Sequence, residues 1–348
     1  MSELPRTLFI ATGNGAVAWY RCALPATVLG CEWLKVKSDP SDPRIRHGNT
    51  DPSLTLDSVP SYDVVVVQQV AGPAWLKAIR EWQQAGVTVL YEIDDWLHGV
   101  RRLQHHANAA KFDKATVETY ELCMRAADGL ICSTEWLAQR YASVNRNTWV
   151  CRNGIDLVRY DFSRPQRSHV GIGWAGGTGH VVAMRPWAAE VAKVMRECPD
   201  TTFTSVGQPF AKWLEPEFGT RTLSIPFAGL EVYPAAMRHF DIALAPAGKG
   251  DFFKGKSDLR WLEAAALAMP CIADPDVYPD IEHGVTGFHA STPAEAGAIL
   301  RELIADADLR ERVGNAAYEY VAEHRRAQVT SLAWAEALTE AVAEPVAA

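Results

Sequence analysis

Several signals are missing from this sequence, and each absence narrows it. No apolar run approaches the roughly 20 residues of a membrane-spanning helix, and no N-terminal stretch has the order of a secretion signal. The seven cysteines (Cys22, Cys31, Cys123, Cys132, Cys151, Cys198 and Cys271) are odd in number, scattered, and never spaced as C-x-x-C. That reads as free thiols in a reducing compartment, so a cytoplasmic protein is expected. A basic balance is missing too: the formal net charge of −8 argues against a general nucleic-acid binder. The first G-x-G lacks the third glycine of a dinucleotide fingerprint. His98, His105 and His106 show no metal-ligand spacing.

What is present is ordinary for a globular protein and long enough for two domains: 348 residues, 48% hydrophobic and 22% charged. Twelve tryptophans are many for this length; they fill cores, and aromatic rings also line sugar sites. Thr7 to Ala11 reads as a strand running into Thr12-Gly13-Asn14-Gly15 and a helix that carries Arg21, which can reach a phosphate or an acidic group or lie on the surface. Tyr62 to Gln68 is a β-branched buried strand. Val87 to Tyr91 is another, ending in Glu92-Ile93-Asp94-Asp95, and carboxylates at that end of a parallel strand can hold or deprotonate a substrate hydroxyl. Asn153-Gly154 is a turn.

The second half restarts in the same style. Val170 to Trp174 is a strand before a second glycine loop, Ala175-Gly176-Gly177-Thr178-Gly179-His180; Thr202 to Val206 is a strand closed by Gly207-Gln208-Pro209, and Leu230 to Phe240 reads as helix. The stretch from Asp241 to Asp274 is the richest. It reads as strand, then a loop with three glycines and Lys249, Lys254 and Lys256, then a helix that Ser257 or Asp258 can cap, then strand. A basic glycine loop opening on a helix N-terminus suits a phosphate. Glu263, further along that helix, can accept both hydroxyls of a ribose. The expected fold is α/β, two Rossmann-like parallel-sheet domains facing a cleft, and clefts between domains are default ligand sites.

At these residues the chain resembles the GT-B-fold, retaining glycosyltransferases of family 4. The resemblance is carried by Lys256-Ser257-Asp258-Leu259 through Leu262-Glu263-Ala264, by Asn153-Gly154-Ile155-Asp156, by Gly173-Trp174-Ala175-Gly176-Gly177 with His180, and by His283-Gly284 with Thr286-Gly287; Glu92-Ile93-Asp94-Asp95 is similar to a variant branch. It implies an acceptor-side domain over residues 1–164, a nucleotide-sugar domain over 165–325 and a C-terminal helix over 326–348 that crosses back to the first domain. It further implies that Glu263 binds the donor ribose, and that Lys256 with the amides around Ser257, Asp258 and Leu259 holds the diphosphate. Gly13, Asn14 and Gly15 would pass the same phosphates, with Arg21 near them. Trp174, Gly176, Gly177 and His180 would line the donor side, and Gly207 and Gln208 would lie by the base. Asp94 or Asp95 would orient or deprotonate the acceptor. Members need no tightly bound metal or cofactor, so the expected ligands are a nucleoside-diphosphate sugar, a UDP-sugar first, and an acceptor on a glycan, a protein or a modified nucleobase. The sequence departs from the family at Gly255, where a glutamate contacting the transferred sugar is usual. Two other readings compete with a glycosyltransferase: a nucleotide-sugar epimerase of the same fold, and a non-catalytic sugar-nucleotide-binding protein.

Overall fold

The structure is a computed structural model that describes residues 4–12, 15–36, 46–47, 55–100, 112–161, 167–177, 181–227, 229 and 231–343. The first sheet contains β1 (Thr7–Ala11), β2 (Glu32–Lys35), β3 (Arg46–His47), β4 (Val64–Gln68), β5 (Thr88–Ile93), β6 (Gly129–Cys132) and β7 (Thr148–Val150). Their spatial order is β3-β2-β1-β4-β5-β6-β7, parallel except for the short antiparallel edge strand β3. The second contains β8 (Val170–Gly176), β9 (Thr201–Gly207), β10 (Thr222–Ile225), β11 (Ile242–Ala245), β12 (Cys271–Ala273) and β13 (Phe288–His289), all parallel in the order β10-β9-β8-β11-β12-β13. Both sheets carry helices on their faces, which is why the central strands read as unbroken apolar runs: every residue of β4, VVVVQ, is buried. In each sheet the chain order reverses once, between β1 and β4 and between β8 and β11. A crevice outside the carboxyl ends of strands at such points is where α/β folds hold ligands.

Three details shape that crevice. The helix after β1 runs as Ala16–Ala18, a wide π-helical turn Trp19–Ala23, and Leu24–Leu29. Pro25 has no N–H for Arg21 O and its ring would crowd that carbonyl, so the register slips and Leu24 N–H bonds back to Trp19 O. The slip places Tyr20 and Arg21 both inward and buried. Strand β5 extends to Ile93, beyond the expected Tyr91, so Glu92 lies inside the sheet rather than at its end. The helix expected over Leu230 to Phe240 is only Tyr233–Met237, starting one residue before Pro234, which lacks the N–H to sit deeper.

The C-terminal helix Ala327–Ala343 lies on the first sheet. Trp334, 2% exposed, packs 5.6 Å from Phe9 of β1, and Glu340 accepts a hydrogen bond from Trp149 Nε1 at 2.8 Å. Gly154 permits the helix start to come so close: a Cβ there would stand 2.0 Å from Thr330 Oγ1 and 3.0 Å from Ala327 Cα. Trp75, Trp174 and Trp261 are fully buried, so these tryptophans, like Trp334, serve packing. Cys31 and Cys198 are part-exposed thiols, and the other five cysteines are buried. Among the described residues no helix is long and apolar enough to cross a membrane.

Candidate active site

Between the carboxyl ends of the two sheets lies a cavity of about 810 Å³. The first sheet contributes Gly15, Ala16 and Val17 after β1, and Asp94 and Asp95 after β5. The second contributes Gly176 and Gly177 at β8, Gly207 and Gln208 at β9, Phe227 after β10, Pro246 and Ala247 after β11, and Lys256, Ser257, Leu259, Arg260 and Glu263 at or just before the first turns of the helix Leu259–Ala266. Gly207 must be glycine: its φ is +92°, and a Cβ would fall 2.4 Å from Gly176 O.

Glu263 is 4% exposed and held by phenols from both halves of the chain. Its Oε1 accepts from Tyr20 Oη at 3.1 Å and its Oε2 from Tyr233 Oη at 3.1 Å, while Tyr160 Oη lies 3.1 Å from Tyr20 Oη. Burial pushes the carboxyl up to about 7, against the pull of the tyrosine hydrogen bonds and Arg260. Across the cavity Lys256 Nζ meets Asp95 Oδ1 at 2.6 Å. Asp94 beside it is pushed up to about 8, first by burial and then by the neighbouring charges of Asp95 and Glu92, with Lys256 and Arg21 opposing.

Other expected residues lie elsewhere. Arg21 is neither on the surface nor on the cavity wall; it is 1% exposed and pairs with Glu92, Nε to Oε1 at 2.6 Å, while its Nη1 donates to Cys151 O and Asn153 Oδ1. Trp174 is fully buried against Phe210 (ring centroids 4.4 Å apart) and carries the Arg260 guanidinium 5.5 Å from its ring, so it backs the site without lining it. Asp258 occupies the N-cap position but caps nothing with its side chain: Arg325 grips it at 2.6 and 2.9 Å, and Arg152 stands at 3.2 Å. The first turn of the helix is thus left without a side-chain cap, on the cavity side. Asn153 Nδ2 donates to Ser257 Oγ at 2.9 Å, so the Asn153 motif clamps the loop. Of the three loop lysines, Lys249 pairs with Asp274 and Lys254 with Asp251; Lys256 alone of them is on this cavity wall. Gly13, Asn14 and His180 lie outside the described residues.

The sequence reading missed Arg260, Tyr20 and Tyr233. Arg260 was findable, because i and i+3 neighbours share a helix face and it stands three before Glu263. The tyrosines had no local signal, since they reach Glu263 from distant parts of the chain. Gly255 is packed rather than open: a Cβ there would stand 3.1 Å from the Trp136 ring and from Leu137 Cδ2. Among the described residues no three His, Cys, Asp or Glu side chains gather as a metal site.

Residues 185–332 match the family model described as Glycosyl transferase-like. No curated protein matches the chain. Several solved structures do. Anabaena HepE in complex with UDP-glucose superposes with a TM-score of 0.68 at 16% identity, covering 97% of this chain and 100% of that one. Sucrose-phosphate synthase from Thermosynechococcus elongatus gives 0.68 at 14% identity, covering 97% and 99%. A glycosyltransferase from Rickettsia africae gives 0.63 at 12% identity, covering 97% and 99%. Two parallel sheets, a cavity between their carboxyl ends and these full-length superpositions identify the fold of the chain as GT-B, with the glycosyl transferase-like match in its second half.

Proposed function

We propose that the chain is a retaining glycosyltransferase of the family 4 kind, moving a hexose from a nucleoside-diphosphate sugar to an acceptor hydroxyl. The observation that carries this reading is the convergence in one cavity of a buried carboxylate (Glu263), two cations (Lys256 and Arg260) and a carboxylate pair (Asp94 and Asp95). Glu263 takes the ribose hydroxyls. Lys256, Arg260 and the first-turn amides of Leu259–Ala266 neutralise the leaving diphosphate, where charge builds as the bond to the sugar C1 breaks. The acceptor oxygen attacks C1 from the face the diphosphate leaves, and its proton passes to the departing phosphate oxygen or to Asp94. A diphosphate at Lys256 competes with Asp95 for the ammonium, so donor binding releases a carboxylate on the acceptor side. Residues 1–164 then serve the acceptor, 165–325 the donor, and the helix of 326–348 ties the two. UDP is the first nucleotide to try, because HepE is a full-length structural neighbour solved with UDP-glucose.

A thermal-shift screen over uridine, guanosine and adenosine diphosphate sugars tests the reading. One nucleotide class should raise Tm in the unchanged chain, and Glu263→Ala and Lys256→Ala should abolish that rise. A full shift in both variants would overturn the site assignment.

A further inference from the structure

Left-handed backbone outside glycine occurs at two described residues, Gln69 (φ 45°) and Ala268 (φ 48°). Ala268 is explained by helix termination. Met269 N–H bonds back to Ala264 O at 3.0 Å and Ala268 N–H to Ala265 O at 2.9 Å, the turn that closes Leu259–Ala266. Gln69 ends no helix. It follows β4 directly, and its backbone N–H donates to Glu92 O at 3.0 Å, so the pairing of β4 with β5 continues up to the strained residue. Glycine would take this backbone at less cost, yet the chain has a glutamine, whose side-chain Nε2 donates to Asp94 Oδ1. A strained non-glycine residue reaching a carboxylate on the cavity wall is the kind of outlier from which a functional role is inferred.

We propose that Gln69 is a positioning residue: its amide holds Asp94 Oδ1 and leaves Oδ2 as the oxygen that meets the acceptor hydroxyl. This rests on the reading of Asp94 as the acceptor-side carboxylate. The charged groups facing Asp94 are Asp95 and Glu92 from its own strand end, Lys256 from the loop before Leu259–Ala266, and Arg21 from the helix after β1. Burial and the two carboxylates disfavour its ionised form; the Gln69 N–H, like the two cations, favours it. Removing that donor must move the Asp94 titration upward.

The test uses the full chain labelled with carbon-13 at the aspartate carboxyls, with the Asp94 resonance assigned through Asp94→Asn. Turnover of UDP-glucose to UDP and glucose, with water as acceptor, is the second readout. Gln69→Gly relaxes the backbone and removes the amide; Gln69→Glu keeps the size and exchanges the donor for an acceptor. Both should raise the Asp94 titration by about half a unit or more, lower kcat about tenfold, and leave the Kd for UDP within about twofold. Tm of Gln69→Gly should be unchanged or higher, the opposite of what a merely structural role gives. If the titration stays put in both variants, the proposal is overturned, and Gln69→Glu decides alone should the glycine variant fail to fold. An Asp94→Asn chain that turns over UDP-glucose at the full rate sinks the reading of Asp94 itself, and the role of Gln69 with it. A slow Asp94→Asn beside fully active Gln69 variants removes only Gln69.

Discussion

Lys256 Nζ lies 2.6 Å from Asp95 Oδ1, an ion pair that joins the loop of the second sheet to the carboxyl end of β5 across the cavity. Both side chains keep about a quarter of their surface exposed, 26% and 28%, so the pair is solvated enough to exchange partners. An ammonium that trades a carboxylate for a diphosphate gains charge on its partner, and charge-assisted bonds to phosphate are the strong kind.

The first prediction follows from that exchange. Lys256→Ala should weaken UDP binding by about 10- to 100-fold while leaving uridine, which has no phosphate, within about threefold. Calorimetric titration of the two ligands reads this directly. Equal losses for UDP and uridine would mean that Lys256 supports the loop rather than the phosphate.

Glu263 gives a prediction in pH. Its carboxyl is raised from its ordinary value to about 7 by burial, and only the ionised form offers both oxygens as acceptors to ribose hydroxyls. UDP affinity should therefore rise as pH climbs through about 7, and Glu263→Gln should remove that component. The phosphate of UDP itself titrates near pH ~6, so the quantity to compare is the difference between the unchanged chain and the variant.

The same residue affects stability with the opposite sign. A carboxyl whose folded pKa exceeds its unfolded value keeps its proton longer when folded. Its contribution is fully present below the unfolded pKa and is lost as pH rises through about 7. Glu263→Gln should thus stabilise the chain at pH values above 7, by up to about 3 kcal/mol from the size of the shift, and do little near pH ~4. Urea melts at the two pH values check it; equal effects at both would show that burial of the charge costs little here.

Arg325 supplies a prediction about the junction. Its guanidinium grips Asp258 with two bonds, reaches Asp280 at 2.8 Å, and donates to Asn153 O at 3.0 Å, all with 4% of its surface exposed. Removing one partner of a buried pair strands the other charge, so Arg325→Leu should cost about 3–5 kcal/mol. Adding Asp258→Leu should recover part of that loss. Denaturant unfolding of both singles and the double separates the outcomes, and strict additivity would contradict the pairing.

Much of this was legible in the sequence, and the pattern of what was not is physical. Strands such as Thr7–Ala11 and Gly129–Cys132 matched to the residue, because a buried parallel strand is an unbroken apolar run bounded by polar turns. Glu263 and Lys256 were visible as residue types on a glycine loop and its helix. Arg21 and Asp258 looked like ligand residues, yet each is paired with a residue far along the chain: Glu92 at 71 residues' separation and Arg325 at 67. Local pattern records which groups need a partner; it does not record which partner the fold delivers. Tyr20 and Gln69 were illegible for a related reason, since a π-helical slip and a left-handed turn redirect side chains that regular periodicity would place elsewhere.

The docking of the C-terminal helix rests on Gly154, and that contact gives the last prediction. Gly154→Ala places a Cβ 2.0 Å from Thr330 Oγ1, 3.2 Å from Thr330 Cβ and 3.0 Å from Ala327 Cα. The hydroxyl can be removed, but the helix backbone at Ala327 is fixed by its N–H bond to Ile155 O at 2.8 Å and by Trp334 against Phe9. The substitution should therefore cost about 1–3 kcal/mol, the range for overpacking a tight contact. Thr330→Ala added to it should recover some of that cost but not all, because the Ala327 contact remains. Thermal melts of the two singles and the double decide it: complete rescue would locate the whole clash at the threonine, and no rescue would mean that the helix backbone, not its side chain, sets the distance to Gly154.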